Sequence, residues 1–156
     1  MSASLRSNPG LPRRKLIAAA GSTLALQCLP ASAITTVTFA GIVRQWAGNT
    51  PVQEGRVELE IAPLVENGNA VPITARIASP MTLTDHVKEI VVYNERNPQR
   101  EVVRFTFGPG AAKAEASTRI RLATSQQLVA LARLSDGSQW ANYVNVIVTL
   151  AACVEG

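Results

Sequence analysis

The stretch QLVALARLSDGSQWANYVNVIVTL, Gln127 to Leu150, reads as two strands joined by a tight turn. Asp-Gly supplies the positive φ angles of a type I′ turn, so Asp136 and Gly137 are expected to make a hairpin of Gln127–Leu134 and Gln139–Leu150. In the second run Val144, Val146, Val148 and Leu150 fall on one face, as strand alternation requires, and this strand should be held as far as Leu150.

The same period of two extends upstream. From Arg56 to Ala62, Val57, Leu59 and Ile61 alternate with Glu58 and Glu60. Further strand runs lie at Val71–Ile77, Val87–Asn94, Glu101–Phe107 and Glu115–Ala123. Turn signals separate them: Asn67 with Gly68, Ser79 with Pro80, Asn97 with Pro98, and Gly108 to Gly110. About seven short antiparallel strands at this spacing predict an all-β fold, an immunoglobulin-like β-sandwich over residues 55–150. The disulfide and tryptophan hallmarks of antibody domains are missing.

Before the strands the period is helical. Phe39, Ile42, Val43 and Trp46 stand at i, i+3, i+4 and i+7, which predicts a helix of about three turns within a helix-and-linker segment, residues 34–54. Gly48, Asn49 and Pro51 would end it. So short a helix needs its apolar face covered, either by its own domain or by a second chain.

Residues 1–33 have the layout of an export signal that is cleaved. Arg6, Arg13, Arg14 and Lys15 precede an apolar run from Leu16 to Leu26, then Pro30 and the small triplet Ala31, Ser32 and Ala33. The paired arginines followed by Leu16 and Ile17 fit a twin-arginine signal, and the apolar run is about half the ~20 residues of a membrane span. Gln27 before Cys28 argues against a lipoprotein site. Cleavage after Ala33 would remove four basic residues and no acid, so the 15 Lys and Arg fall to the number of the 11 Asp and Glu. The sequence pI near 9.6 therefore belongs to the leader and not to a nucleic-acid or membrane-binding face. The expected location is the periplasm.

Cleavage would also leave Cys153 as the one cysteine of the mature chain. It cannot then close an intrachain disulfide, so it is reduced, bonded to another molecule or modified. Three extended residues beyond Leu150 span roughly 10 Å, so the domain would carry its thiol on a short arm made of Ala151, Ala152, Cys153, Val154, Glu155 and Gly156.

Competing chemistry is thin. His86 is the single histidine and has no cysteine beside it, a poor metal site. Asp85 and His86, with Ser79 or Thr84, are residue types of a catalytic triad, but adjacent strand side chains point to opposite faces. Glu66 and Asp136 both fall in turns. Trp46, Tyr93, Trp140 and Tyr143 are too scattered for a stacking platform and read as core or interface, and Met81 as a loop or interface group. No cofactor is expected, and no independent enzyme activity.

Taken together, Glu66-Asn67-Gly68 leading to Val71-Pro72, then Ser79-Pro80-Met81, then Val87, Lys88 and Ile90, then Asn97-Pro98, then TRIRLA at Thr118–Ala123 and SDGS at Ser135–Ser138 resemble the SoxY family, in order and spacing, over roughly Gly55 to Cys153. The resemblance implies a periplasmic sulfur carrier of thiosulfate oxidation, an immunoglobulin-like domain paired with a second sandwich protein, SoxZ. It implies that Cys153 carries the substrate. SoxAX would couple thiosulfate oxidatively to the thiol, SoxB would hydrolyse off sulfate, and SoxCD would oxidise the remaining sulfane sulfur. SoxZ usually lacks a signal of its own, so export of the folded pair by the twin-arginine route fits.

The arm departs from the family pattern Gly-Gly-Cys-Gly-Gly. Alanine and valine admit fewer backbone conformations than glycine, so this arm should be stiffer and bulkier. Glu155 and the terminal carboxylate place negative charge near the sulfur, disfavouring thiolate and anionic sulfur species by only about 1 kcal/mol per charge in water. A second function class follows from that departure: a non-catalytic periplasmic interaction domain of the same ancestry that no longer carries sulfur.

Overall fold

The computed structural model describes residues 38–153. The expected leader, the first residues of the linker and Val154, Glu155 and Gly156 lie outside the described residues. Nine strands follow one helix: α1 Phe39–Ala47, β1 Val52–Glu54, β2 Val57–Glu60, β3 Leu64–Asn67, β4 Val71–Ile77, β5 Val87–Asn94, β6 Glu101–Thr106, β7 Ala114–Ile120, β8 Gln126–Leu134 and β9 Gln139–Leu150. They form two sheets, β1-β9-β8-β5-β6 with β3 also on β9, and β2-β4-β7. The all-β sandwich expected from the strand spacing is what the chain folds into.

The core lies between the sheets. Val57 and Leu59 of β2, Val71, Ile73 and Ala75 of β4, and Leu128, Ala130, Ala132 and Leu134 of β8 are all buried in one cluster. Alternation explains the choice: in β2 and β4 every second residue is buried and its neighbours face outward. Met81 sits in the β4–β5 loop at φ 52° with its side chain in this core.

β8 is buried on both faces because α1 covers the outer one. Val43 packs with Val129, Leu131 and Ala141, and Phe39, Trp46 and Tyr93 border them. The helix therefore docks on its own domain. Thr38 caps its first turn, accepting from Gly41 N at 3.1 Å, and Gly48 ends it at φ 64°. The Arg133 guanidinium lies 4.8 Å from the Trp46 ring centroid and donates to the Trp46 carbonyl at 3.1 Å.

The β8–β9 hairpin forms, but its turn is not type I′. Only Gly137 has positive φ, 86°, and its N–H donates to the Leu134 carbonyl at 3.2 Å. The loop is four residues, Ser135 to Ser138, closed by Leu134 N donating to Ser138 O at 3.0 Å. A longer loop leaves Asp136 free to accept from Ser138 N at 2.8 Å, so one glycine in the left-handed region suffices. The Ser138 side chain first, and then that backbone hydrogen bond, hold the Asp136 carboxyl below its usual range.

β1 and β3 are additional to the seven expected strands. Both pair with β9 in parallel, β1 beside Gln139–Ala141 and β3 beside Ile147–Leu150.

Candidate functional site

β9 ends at Leu150, and the strand's last residues are held on both edges. Ser125 takes over where β8 stops: its hydroxyl accepts from Val148 N at 2.9 Å and donates to Val148 O at 3.3 Å. On the other edge β3 pairs as far as Asn67 with Leu150, and the Thr149 hydroxyl donates to Glu66 O at 3.2 Å. The Leu150 side chain is 61% exposed, so the inward face closes at Val148 and the end of the strand is fixed by backbone bonds.

These bonds continue past the strand. Gly68 N donates to Leu150 O at 2.8 Å, Leu122 N donates to Gly68 O at 2.8 Å, and Ala152 N donates to Leu122 O at 3.0 Å. Three segments distant in sequence thus interlock through their main chains, and Ala152 is buried, 6% exposed. An arm free from Ala151 onward is therefore not what the chain forms. Ala151 is exposed, Ala152 is fastened, and Cys153 is the first residue beyond the clasp, exposed and without a disulfide.

Beneath Leu122 lies a buried amide network. Asn97 Nδ2 donates to Arg121 O at 2.8 Å, while Asn97 Oδ1 accepts from Ala123 N at 3.0 Å and Gln126 Nε2 at 2.7 Å. Asn97 N donates to Asn94 Oδ1 at 2.9 Å, and Asn94 Nδ2 to Gln99 O at 2.8 Å. Asn94, Asn97 and Gln126 are all buried, and hydrogen bonding is what makes burial of such amides tolerable. In the sequence Asn97 and Pro98 show as a turn signal, and the asparagine's inward role has no local signature.

The other sequence candidates do not assemble into a site. His86 Nδ1 lies 3.1 Å from Thr82 O and the His86 backbone N–H donates to the Ser135 hydroxyl; Ser79 faces the Asp85 carbonyl. Glu66 and Asp136 stand near opposite ends of β9. Trp140 packs on the main core, with the Arg56 guanidinium 5.4 Å from its ring centroid. Tyr143, 40% exposed, meets Phe39 edge-on at 6.4 Å. Tyr93 donates to Glu101 at 3.1 Å beside Arg104, and burial first, then that carboxylate, pushes its hydroxyl up. Among the described residues no three His, Cys, Asp or Glu side chains converge as metal ligands would, and no helix is long and apolar enough to cross a membrane.

A family model described as sulfur oxidation protein SoxY matches residues 43–153. The chain belongs to the SoxY family. The sulfur carrier protein SoxY of Chlorobium limicola f. thiosulfatophilum is 25% identical, with 71% of this chain and 96% of that one aligned at a TM-score of 0.59. A superoxide reductase, the neelaredoxin of Ignicoccus hospitalis, aligns at a TM-score of 0.55 over 60% of this chain and 80% of its own, at 16% identity, a likeness of fold alone. No curated protein matches the chain. The SoxY match ends on Cys153, immediately beyond the clasped Ala152. SoxY membership and the likeness to a SoxY carrier support a role in sulfur oxidation as a carrier.

Proposed function

We propose that this SoxY-family chain is a periplasmic carrier that holds the sulfur intermediates of thiosulfate oxidation on Cys153 and presents them to partner enzymes. The observation that carries the reading is the exposure of Cys153 directly after a residue fastened to the sandwich. A cargo on that sulfur projects from a firm base, which suits delivery into another protein's active site. In the first step the thiolate and thiosulfate join through a new S–S bond and release two electrons, which a SoxAX-type cytochrome accepts. Water then cleaves the terminal S–S bond under a SoxB-type hydrolase, releasing sulfate and two protons and leaving a persulfide on Cys153. A SoxCD-type enzyme oxidises that outer sulfur with three waters to a thiosulfonate, accepting the six electrons as six protons are released. SoxZ is the stable partner, and residues 1–33 form a twin-arginine signal, cleaved after Ala33, that exports the folded pair.

The test is an intact mass of the chain purified with its partner from the periplasm of its host, without reductant. Mass added in sulfur or thiosulfonate increments, removed by reductant and absent in Cys153→Ser, is expected. An unmodified thiol after the host has been given thiosulfate would overturn the carrier reading. That outcome would favour the interaction-domain reading, which the replacement of glycine by Ala151, Ala152, Val154 and Glu155 supports.

A further inference from the structure

We infer that Asn97 is a positioning residue for Cys153, acting through Leu122 and Ala152. As a statement about delivery of cargo this rests on the carrier reading above; as a statement about the thiol's placement it does not. In an extended segment the N–H and C=O of one residue point to one side, and those of its two neighbours to the other. A parallel strand beside Leu122 would donate to the carbonyl of residue 121 and accept from the N–H of residue 123. The Asn97 side-chain amide does both, at 2.8 and 3.0 Å. It thus stands in for a missing strand on one edge of Leu122. The N–H and C=O of Leu122 itself are left facing the other edge, where they meet Gly68 O and Ala152 N.

Asn97 is itself fixed. It is 8% exposed, and Asn94 Oδ1 holds its N–H while Gln126 Nε2 holds its Oδ1. The path from this buried amide to the thiol therefore runs from Asn97 to Arg121 O and Ala123 N, through the two peptides that flank Leu122, to Ala152 and Cys153, and each hydrogen bond on it is 3.0 Å or less. Cys153 Cα stands one peptide, about 3.8 Å, beyond the Ala152 Cα.

The experiment places a nitroxide spin label on Cys153 in a full chain carrying Cys28→Ser, and compares it with Asn97→Ala in that background. A control label sits on Leu83→Cys, with Cys153→Ser, in the β4–β5 loop at the opposite end of the sandwich. Amide hydrogen exchange at Ala152 is followed in parallel. Asn97→Ala is expected to mobilise the Cys153 label and to speed Ala152 exchange by about tenfold or more, as loss of a buried hydrogen-bonding partner implies, with the Leu83→Cys label unchanged. Asn97→Asp, which keeps the acceptor for Ala123 N but loses the donor to Arg121 O, should fall between. Equal mobilisation of both labels, or of neither, would overturn the inference. Should Asn97→Ala fail to fold, Asn97→Asp decides in its place by the same readouts, an unmoved Cys153 label and unchanged Ala152 exchange overturning the inference; in the unaltered protein, an Ala152 amide that exchanges as fast as an open chain would refute the clasp. Sulfur loading of Cys153 is read separately by mass, so a clasp without loading rejects only the carrier reading, and loading without a clasp rejects only the positioning role.

Discussion

A Cβ on Gly68 would stand 2.3 Å from the Leu122 carbonyl oxygen and 2.9 Å from the Ala152 nitrogen. Both are main-chain atoms, so no side-chain rotation could make room. Gly68 does not have the positive φ that marks Gly48, Gly55, Gly110 and Gly137; glycine is needed here for space. The sequence shows Asn67-Gly68 as a turn signal, and the turn is there, with Asn67 Oδ1 accepting from Asn69 N at 2.9 Å. The reason for the glycine was not legible, because it depends on two chain segments far away in sequence. Gly68→Ala should destabilise the protein by roughly 1–3 kcal/mol, the usual cost of forcing extra volume into a packed site. Denaturant unfolding measures it, and a loss below about 0.5 kcal/mol, the scale of an ordinary surface change, would show that the turn moves aside freely.

At the scale of elements, long runs of alternation located most of the sandwich. Val71–Ile77, Val87–Asn94 and Gln139–Leu150 are strands with the bounds their sequences suggest, because each is long enough for the period of two to show. β1 and β3, of three and four residues, offer too few positions for any period, and their parallel pairing with β9 is set by distant partners. The helix was legible as a helix, but its place was not. That place rests partly on charge: Arg133 reaches Glu89 at 3.3 Å, Glu89 also takes Arg104, and Arg104 holds Glu101 at 2.9 Å. The hydrogen bond from Arg104 holds the Glu101 carboxyl below its ordinary value of 4.5, against the opposing effect of burial. A carboxylate depressed in the folded state adds stability above its unfolded value and loses it as the pH falls through the folded one. Thermal unfolding between pH 7 and pH 3 should therefore show stability falling on the acid side of 4.5, and Glu101→Gln should flatten that fall. An identical acid profile in Glu101→Gln would mean that the ion pairs beside α1 contribute nothing measurable.

Across the whole molecule, the two ends of the sandwich do different work. Leu122 and Leu134 are both fully buried in the same core, but Leu122 lies at the end where the clasp forms and Leu134 at the end of the Ser135–Ser138 turn. Truncating either to alanine removes the same atoms from the same kind of surroundings, and each should cost about 2–5 kcal/mol. If placement of the thiol depended only on global stability, the two variants would disturb Cys153 alike. The bonding pattern says otherwise: the main chain of Leu122 holds Gly68 on its N–H and Ala152 on its C=O, whereas that of Leu134 closes the hairpin turn through Ser138 and Gly137. A cavity under Leu122 lets its backbone settle inward and lengthens the bond to Ala152; a cavity under Leu134 is separated from the arm by most of the length of β8 and β9. Leu122→Ala should therefore speed amide exchange at Ala152 well beyond what its loss of global stability explains, and Leu134→Ala should speed it only to that extent. Equal acceleration in two variants matched for unfolding free energy would mean that the arm opens only when the whole sandwich does, and that its base has no local fastening of its own.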